Sequence, residues 1–322
     1  MRSFIVMAAA GVGLLGGLIG GQGQAPGRPN STIDLLKAKK PVFGLYAPSA
    51  RRGDQGASVA PPSAPAVKTP AELANEALAY ESADFLFSGG MERGLDLGLP
   101  AFTEFMNAAA ASPLRWRHPL AVKTPKIATD PVKAIDNISR QLNLGVTTIV
   151  FVDVESADEV RQGLAAMRFR SAAGVRPDAV GTAPAYWGMT ASQYREKADL
   201  WPLNPDGELV NWTIIESKKG LAHVREIAAV KGISVLFPGA GTLRGVFSTT
   251  NAEGKRVLDP VAWEAAIQQV LAACREFSIA CGYPATADDI EMRMAQGFSV
   301  FIMNWGEGGF KAVETGRRAS GR

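Results

Sequence analysis

The chain has 322 residues, 47% of them hydrophobic and 20% charged, enough for one large domain or two small ones with an ample core. A formal net charge of +3 is close to balance at this length, and the one basic cluster, Arg317, Arg318 and Arg322, falls in what reads as a Ser/Gly tail at 317–322. Nucleic acid is therefore not an expected partner.

The first stretch, "MRSFIVMAAAGVGLLGGLIGGQGQAPG", places Arg2 ahead of an uncharged run over residues 3–21, the pattern of an export signal at 1–24. The expected location is periplasmic or secreted. No stable membrane insertion is expected, because so glycine-rich a run makes a poor permanent helix. A linker over 25–32 leads to the folded unit, expected at 33–316.

"TIDLLKAKKPVFGLYAPSA" predicts a short helix and then a strand. The Pro-, Ala- and Ser-rich segment 51–70 predicts a flexible surface insertion, in which the Arg-Gly-Asp tripeptide at 52–54 is read as chance. Helix-like and strand-like runs then alternate: "PAELANEALAY" and "ADFLFSGG", "GLPAFTEFMNAAAAS" and "PLAVKTP", "DPVKAIDNISRQLNLG" and "VTTIVFVDV". The helix "SADEVRQGLAAMRF" opens on the N-cap candidate Ser156. The strand "WTIIES" is followed by "GLAHVREIAAV" and "ISVLFPG", then "DPVAWEAAIQQVLAACREF" and "SIACG", then "TADDIEMRMAQG" and "FSVFIMNWG". Strands at Val42, Phe85, Leu120, Ile149, Thr213, Val235, Ile279 and Val300 make eight. Eight apolar strands alternating with amphipathic helices predict an α/β fold of the (β/α)8 TIM-barrel type, a single domain.

That architecture puts chemistry at the C-terminal ends of the strands. The positions so nominated are residues 89–92, Lys123, Asp153, Glu155, Glu216, Gly239, Ala240, Gly241, Thr242 and Asn304. The two cysteines, Cys274 and Cys281, are expected as free core thiols, since a fold this large needs no disulfide and no metal-type Cys/His spacing is present.

The segments "VFGLYAPSA", "ADFLFSGGMERG", "IVFVDVESADEV", "WTIIESKKGLAHVREIAAVKGISVLFPGAGTLRG" and "AQGFSVFIMNWG" resemble, in order and spacing, the HpcH/HpaI aldolase and citrate-lyase family over about residues 33–310. The stretch 213–243 carries the most specific part. The resemblance implies a carbon–carbon lyase in which a Glu and an Asp hold a divalent metal, Mg²⁺ or Mn²⁺, against the oxygens of a 2-oxo acid. It also implies a homo-oligomer, a trimer or hexamer.

Glu216 matches the family's metal Glu. Thr242 stands where the family has Asp, Glu92 where it has His, Lys123 where it has Arg, and Ile214 where many members have Gln. Metal binding is thus expected to be weak and centred on Glu216, with Asp153 the candidate to restore a second carboxylate if the strand phase turns it inward. Glu92 is a candidate base, and its alternative is a salt bridge with Arg93 or Lys123. Lys123 keeps the positive charge of an Arg without its bidentate fork.

Neither histidine is expected at the site: His118 precedes its strand, and His223 follows Glu216 on a helix. The turn Gly239, Ala240, Gly241, Thr242 can cradle a substrate carboxylate with its N–H groups. Tyr186, Trp187 and Trp305 are candidates either for a roomy acceptor pocket or for subunit contacts. The leading expectation is an exported lyase with a non-standard site. The alternative is a non-catalytic carboxylate-binding protein on the same barrel.

Overall fold

A computed structural model describes residues 28–49 and 67–322. The expected export segment 1–24, the start of the linker, and most of the insertion, including 52–54, lie outside the described residues. Eight parallel strands form the barrel: β1 (Val42–Tyr46), β2 (Phe85–Ser88), β3 (Leu120–Lys123), β4 (Thr148–Phe151), β5 (Leu209–Ile215), β6 (Val235–Pro238), β7 (Ala280–Pro284) and β8 (Val300–Met303). Each pairs with the next, β4 pairs with β5, and β8 returns to β1, so the sheet closes. The eight expected strands are all present. A two-residue strand, Leu200–Trp201, pairs in parallel with the first two residues of β5, and a hairpin, Ser248–Thr250 with Arg256–Leu258, follows β6.

Strand alternation splits the core in two. Val42, Phe85, Phe87, Ala121, Val150, Val152, Val210, Trp212, Ile214, Val235, Phe237, Val300 and Ile302 form the inner cluster. The alternate residues, such as Phe43, Leu86, Val122, Phe151, Ile215 and Phe301, pack outward against the helices. The interior is filled by rings: Trp212 meets Phe85 edge-on at 4.9 Å and stacks with Phe237 at 6.4 Å. Gly44 and Gly282 make room for them, since a Cβ at either would lie 2.3 and 1.9 Å from the Phe85 and Phe237 rings.

The helix Thr32–Lys37 closes the N-terminal end of the barrel, with Ile33 buried in the inner cluster and Leu35 and Leu36 packed against it. Asn30 ties it down by donating to Thr148 Oγ1, at 3.3 Å. With that end plugged, the barrel opens, among the described residues, at its C-terminal rim.

Several expectations need correction. Cys274 and Cys281 are joined in a disulfide, not free. The helix Pro260–Glu276 runs back along the barrel into β7 through a tight turn, which brings the two Cα atoms to 5.6 Å, the separation a disulfide spans. The basic C-terminal residues are not a loose tail. Arg317 lies in the helix Glu307–Ala319, and Arg317 and Arg322 both pair with Asp84 at the foot of β2. The helix expected after Glu216 is broken at His223 into Lys218–Ala222 and Val224–Ala228.

Tyr186 and Trp187 are buried in the outer core, away from the C-terminal mouth. Tyr186 Oη donates to Arg115 O at 2.9 Å and Trp187 Nε1 to Gly145 O at 2.8 Å, both buried on the N-terminal side of β4. Trp305 packs edge-on against Tyr80 and Phe310 and donates to Glu76.

Candidate functional site

The inward phase at the strand tips selects Tyr46, Gly89, Lys123, Val152, Glu216, Gly239 and Asn304, of which Asn304 is exposed. Glu216 is in step with Val210, Trp212 and Ile214 along β5, so it rises from the apolar interior as the first charged group above it. It is 6% exposed. Its Oε1 accepts the Asp153 N–H at 2.9 Å. Burial pushes the Glu216 carboxyl above the ordinary glutamate range; the Thr242 hydroxyl and the Lys123 charge pull it back in part, and Glu92 adds to the rise.

Lys123, at the tip of β3, donates from Nζ to Glu92 Oε2 at 2.8 Å. The lysine side chain is 14% exposed and the glutamate 36%, so the pair reaches from the mouth's interior to solvent. Burial works against the lysine charge, but Glu92 above all, with Glu216 and Tyr46, outweighs it and raises the ammonium pKa. Lys123 is therefore an ammonium at neutral pH, not a free amine. Gly89 leaves space beside it: a Cβ there would sit 3.7 Å from Lys123 Cδ and 3.9 Å from the Tyr46 ring.

Tyr46 is the residue that sequence reading missed. It ends β1 in step with Val42 and Gly44, and packs edge-on against Phe87 at 4.9 Å. Burial raises its phenol pKa; Lys123 opposes the rise and Glu92 and Glu216 add to it, so the hydroxyl stays protonated among those charges. Counting the strand phase forward from Val42 would have found it.

Asp153 does not offer its carboxylate to Glu216. The inward phase of β4 falls on Val152, and Asp153 turns away with φ 46°, in the left-handed region. Its side chain pairs with Lys126 at 2.6 Å, and Glu155 joins the same lysine at 3.2 Å. Both acids belong to a rim cluster outside the mouth. His118 is buried below β3 with Nε2 2.6 Å from Tyr80 O, and His223 Nδ1 lies 3.0 Å from Lys219 O, so neither histidine stands at the mouth.

The glycine turn after β6 is the start of a short helix, Ala240–Val246. Gly239 is spent on packing: its N–H donates to Ile215 O at 2.8 Å, and a Cβ there would lie 2.4 Å from Glu216 Cβ. Ala240 is buried, whereas Gly241 and Thr242 are exposed and nothing lies within 4 Å of where a Gly241 Cβ would be. Among the described residues, the N–H groups of Ala240, Gly241 and Thr242 make no backbone hydrogen bond. Two outer grooves, of about 450 and 500 Å³, lie between helices beside Glu226 and Ala229 and touch none of these residues.

The sequence model of the HpcH/HpaI aldolase/citrate lyase family matches residues 120–312, more than half of the chain. A hydroxypyruvate/pyruvate aldolase of Delftia acidovorans is 32% identical over 187 residues, which cover 54% of this chain and 62% of that relative. The match thus spans under two thirds of the relative's length. A HpcH/HpaI aldolase/citrate lyase family protein from Burkholderia cenocepacia J2315 superposes with a TM-score of 0.63 at 23% identity, covering 85% of this chain and 92% of the other. A citrate lyase beta subunit from M. tuberculosis, complexed with oxaloacetate and magnesium, superposes at 0.50 with 17% identity, covering 89% of this chain and 99% of that one.

Proposed function

The chain belongs to the HpcH/HpaI aldolase/citrate lyase family, and from that premise we propose that it is a carbon–carbon lyase acting on a 2-oxo acid or related small carboxylate through an enolate. One observation carries the reading. Among the described residues, a buried carboxylate, a lysine–glutamate pair and the N–H groups of a helix start that make no backbone hydrogen bond stand around the C-terminal mouth of the barrel. Cleaving a carbon–carbon bond beside a carbonyl leaves an electron pair as an enolate, which positive charge in a sheltered site stabilises. The aldolase relative and the oxaloacetate-bound neighbour support a 2-oxo acid as the substrate class.

In this reading the carboxylate lies on the N–H groups of Ala240, Gly241 and Thr242, and the 2-oxo oxygen points toward Lys123. Export and a homo-oligomeric state remain part of the reading, drawn from residues 1–24 and from the family resemblance.

The neighbour's magnesium raises the question whether these residues fit a divalent metal, and they do not. A hard divalent cation needs several oxygen ligands, carboxylates above all. Among the described residues, Glu216 is the one carboxylate of the mouth not held by a lysine, and one of its oxygens already accepts the Asp153 N–H; Glu92 is held by Lys123, Thr242 supplies a neutral hydroxyl, and the Asp153 and Glu155 carboxylates are held by Lys126. Among the described residues no trio of His, Cys, Asp and Glu is placed to hold an ion.

A screen of 4-hydroxy-2-oxo acids for pyruvate release tests the proposal. Wild type is expected to release pyruvate from at least one, and Glu216→Ala to lose that activity. Oxalate binding without cleavage of any substrate would instead favour a carboxylate-binding protein.

A further inference from the structure

The misfit for metal leaves the site short of a cation, and the Lys123–Glu92 pair is placed to supply it. We propose, resting on the lyase reading, that this pair performs both the proton transfer and the charge stabilisation without a divalent metal. Glu92 lies at the solvent end of the pair and Lys123 at the sheltered end, 2.8 Å apart. When a 4-hydroxy-2-oxo acid occupies the mouth, the Glu92 carboxylate takes the proton of the C4 hydroxyl. The O–H electrons form the aldehyde C=O, the C3–C4 bond breaks, and its pair moves to C3 and on to the C2 oxygen as an enolate.

One negative charge thereby leaves Glu92 and appears on the enolate oxygen, and the Lys123 ammonium lies between the two positions. The net charge of the site does not change. Lys123 exchanges one counterion for another, so the enolate forms beside a cation already in place and no charge is left uncompensated as the bond breaks. The proton on Glu92 then returns to C3 of the enolate to give pyruvate.

The arrangement also accounts for the residues around it. Lys126 ties up the two other rim acids, leaving Glu92 as the one acid hydrogen-bonded to Lys123 among the described residues. Gly89 keeps clear the space beside the lysine stem.

The test uses full-length protein treated with excess EDTA, with pyruvate release and oxalate binding, as an enolate mimic, read in parallel. The chelated protein is expected to cleave at the untreated rate. Glu92→Gln should lower kcat by about 100-fold or more, the size of a lost general base. The same variant should bind oxalate about tenfold tighter, since Lys123 then loses its hydrogen-bonded counterion. A merely structural Glu92 would not tighten oxalate. Lys123→Met should lose oxalate binding, and Lys123→Arg, which keeps the charge, should recover part of it.

Cleavage that appears only after Mg²⁺ or Mn²⁺ is added back overturns this inference and leaves the lyase reading standing. Looser oxalate binding in Glu92→Gln also overturns it. Absence of cleavage with and without metal removes the lyase reading, and the inference falls with it.

Discussion

The Asp153 N–H donates a 2.9 Å hydrogen bond to Glu216 Oε1, while the Asp153 carboxylate faces away to Lys126 at 2.6 Å. One residue thus orients the site acid through its backbone and anchors the rim through its side chain. The left-handed backbone of Asp153, φ 46°, is what separates the two directions.

Asp153→Asn should therefore keep oxalate affinity within about threefold, because the N–H is retained and Asn tolerates left-handed backbone. The lost ion pair is partly exposed, and its removal should cost under about 1 kcal/mol. Calorimetry and urea unfolding check both; a tenfold loss of affinity would show that the carboxylate itself serves the ligand.

Gly239 and Gly241 separate packing from access. Gly239→Ala drives a Cβ into Glu216 and should destabilise the fold by about 1–3 kcal/mol, with loss of oxalate binding. Gly241→Val meets open space, so stability should stay within about 1 kcal/mol while the branched side chain obstructs the helix start. Equal losses of stability in the two variants would contradict this division.

The raised Glu216 pKa, caused chiefly by burial, makes a signed prediction. The folded state favours the protonated acid, so this group's contribution to stability is present below the ordinary glutamate value of 4.5 and is lost as pH rises through the raised folded value. The stability of wild type relative to Glu216→Gln should accordingly fall between pH 4 and pH 7.5 in urea titrations. A rise over that interval would mean that Lys123 and Thr242 outweigh burial.

The barrel was legible because its signal repeats: eight apolar runs, each followed by an amphipathic helix, leave few alternatives. Glu216 was legible for the same reason, lying in phase after "WTII" at a strand end. Asp153 was not, because a one-residue turn at the end of β4 decides its direction and no pattern encodes that. The disulfide was missed because Cys274 and Cys281, seven residues apart, read as ordinary core positions of a helix and the strand after it. Only the turn between them makes them face each other.

That disulfide closes a short loop, so replacing both cysteines by Ser should cost about 2–3 kcal/mol by the loop-entropy model. Thermal melts with and without a reductant measure it. Two titratable thiols in unreduced, denatured protein would restore the free-thiol reading.

The most direct measurement is a crystal structure of the protein with oxalate, grown in the presence of EDTA. Oxalate is expected at the C-terminal mouth, one carboxylate within hydrogen-bond distance of Lys123 Nζ and the other on the N–H groups of Ala240, Gly241 and Thr242. Oxalate bound elsewhere, or bound at the mouth only through an added divalent ion on Glu216, would contradict it.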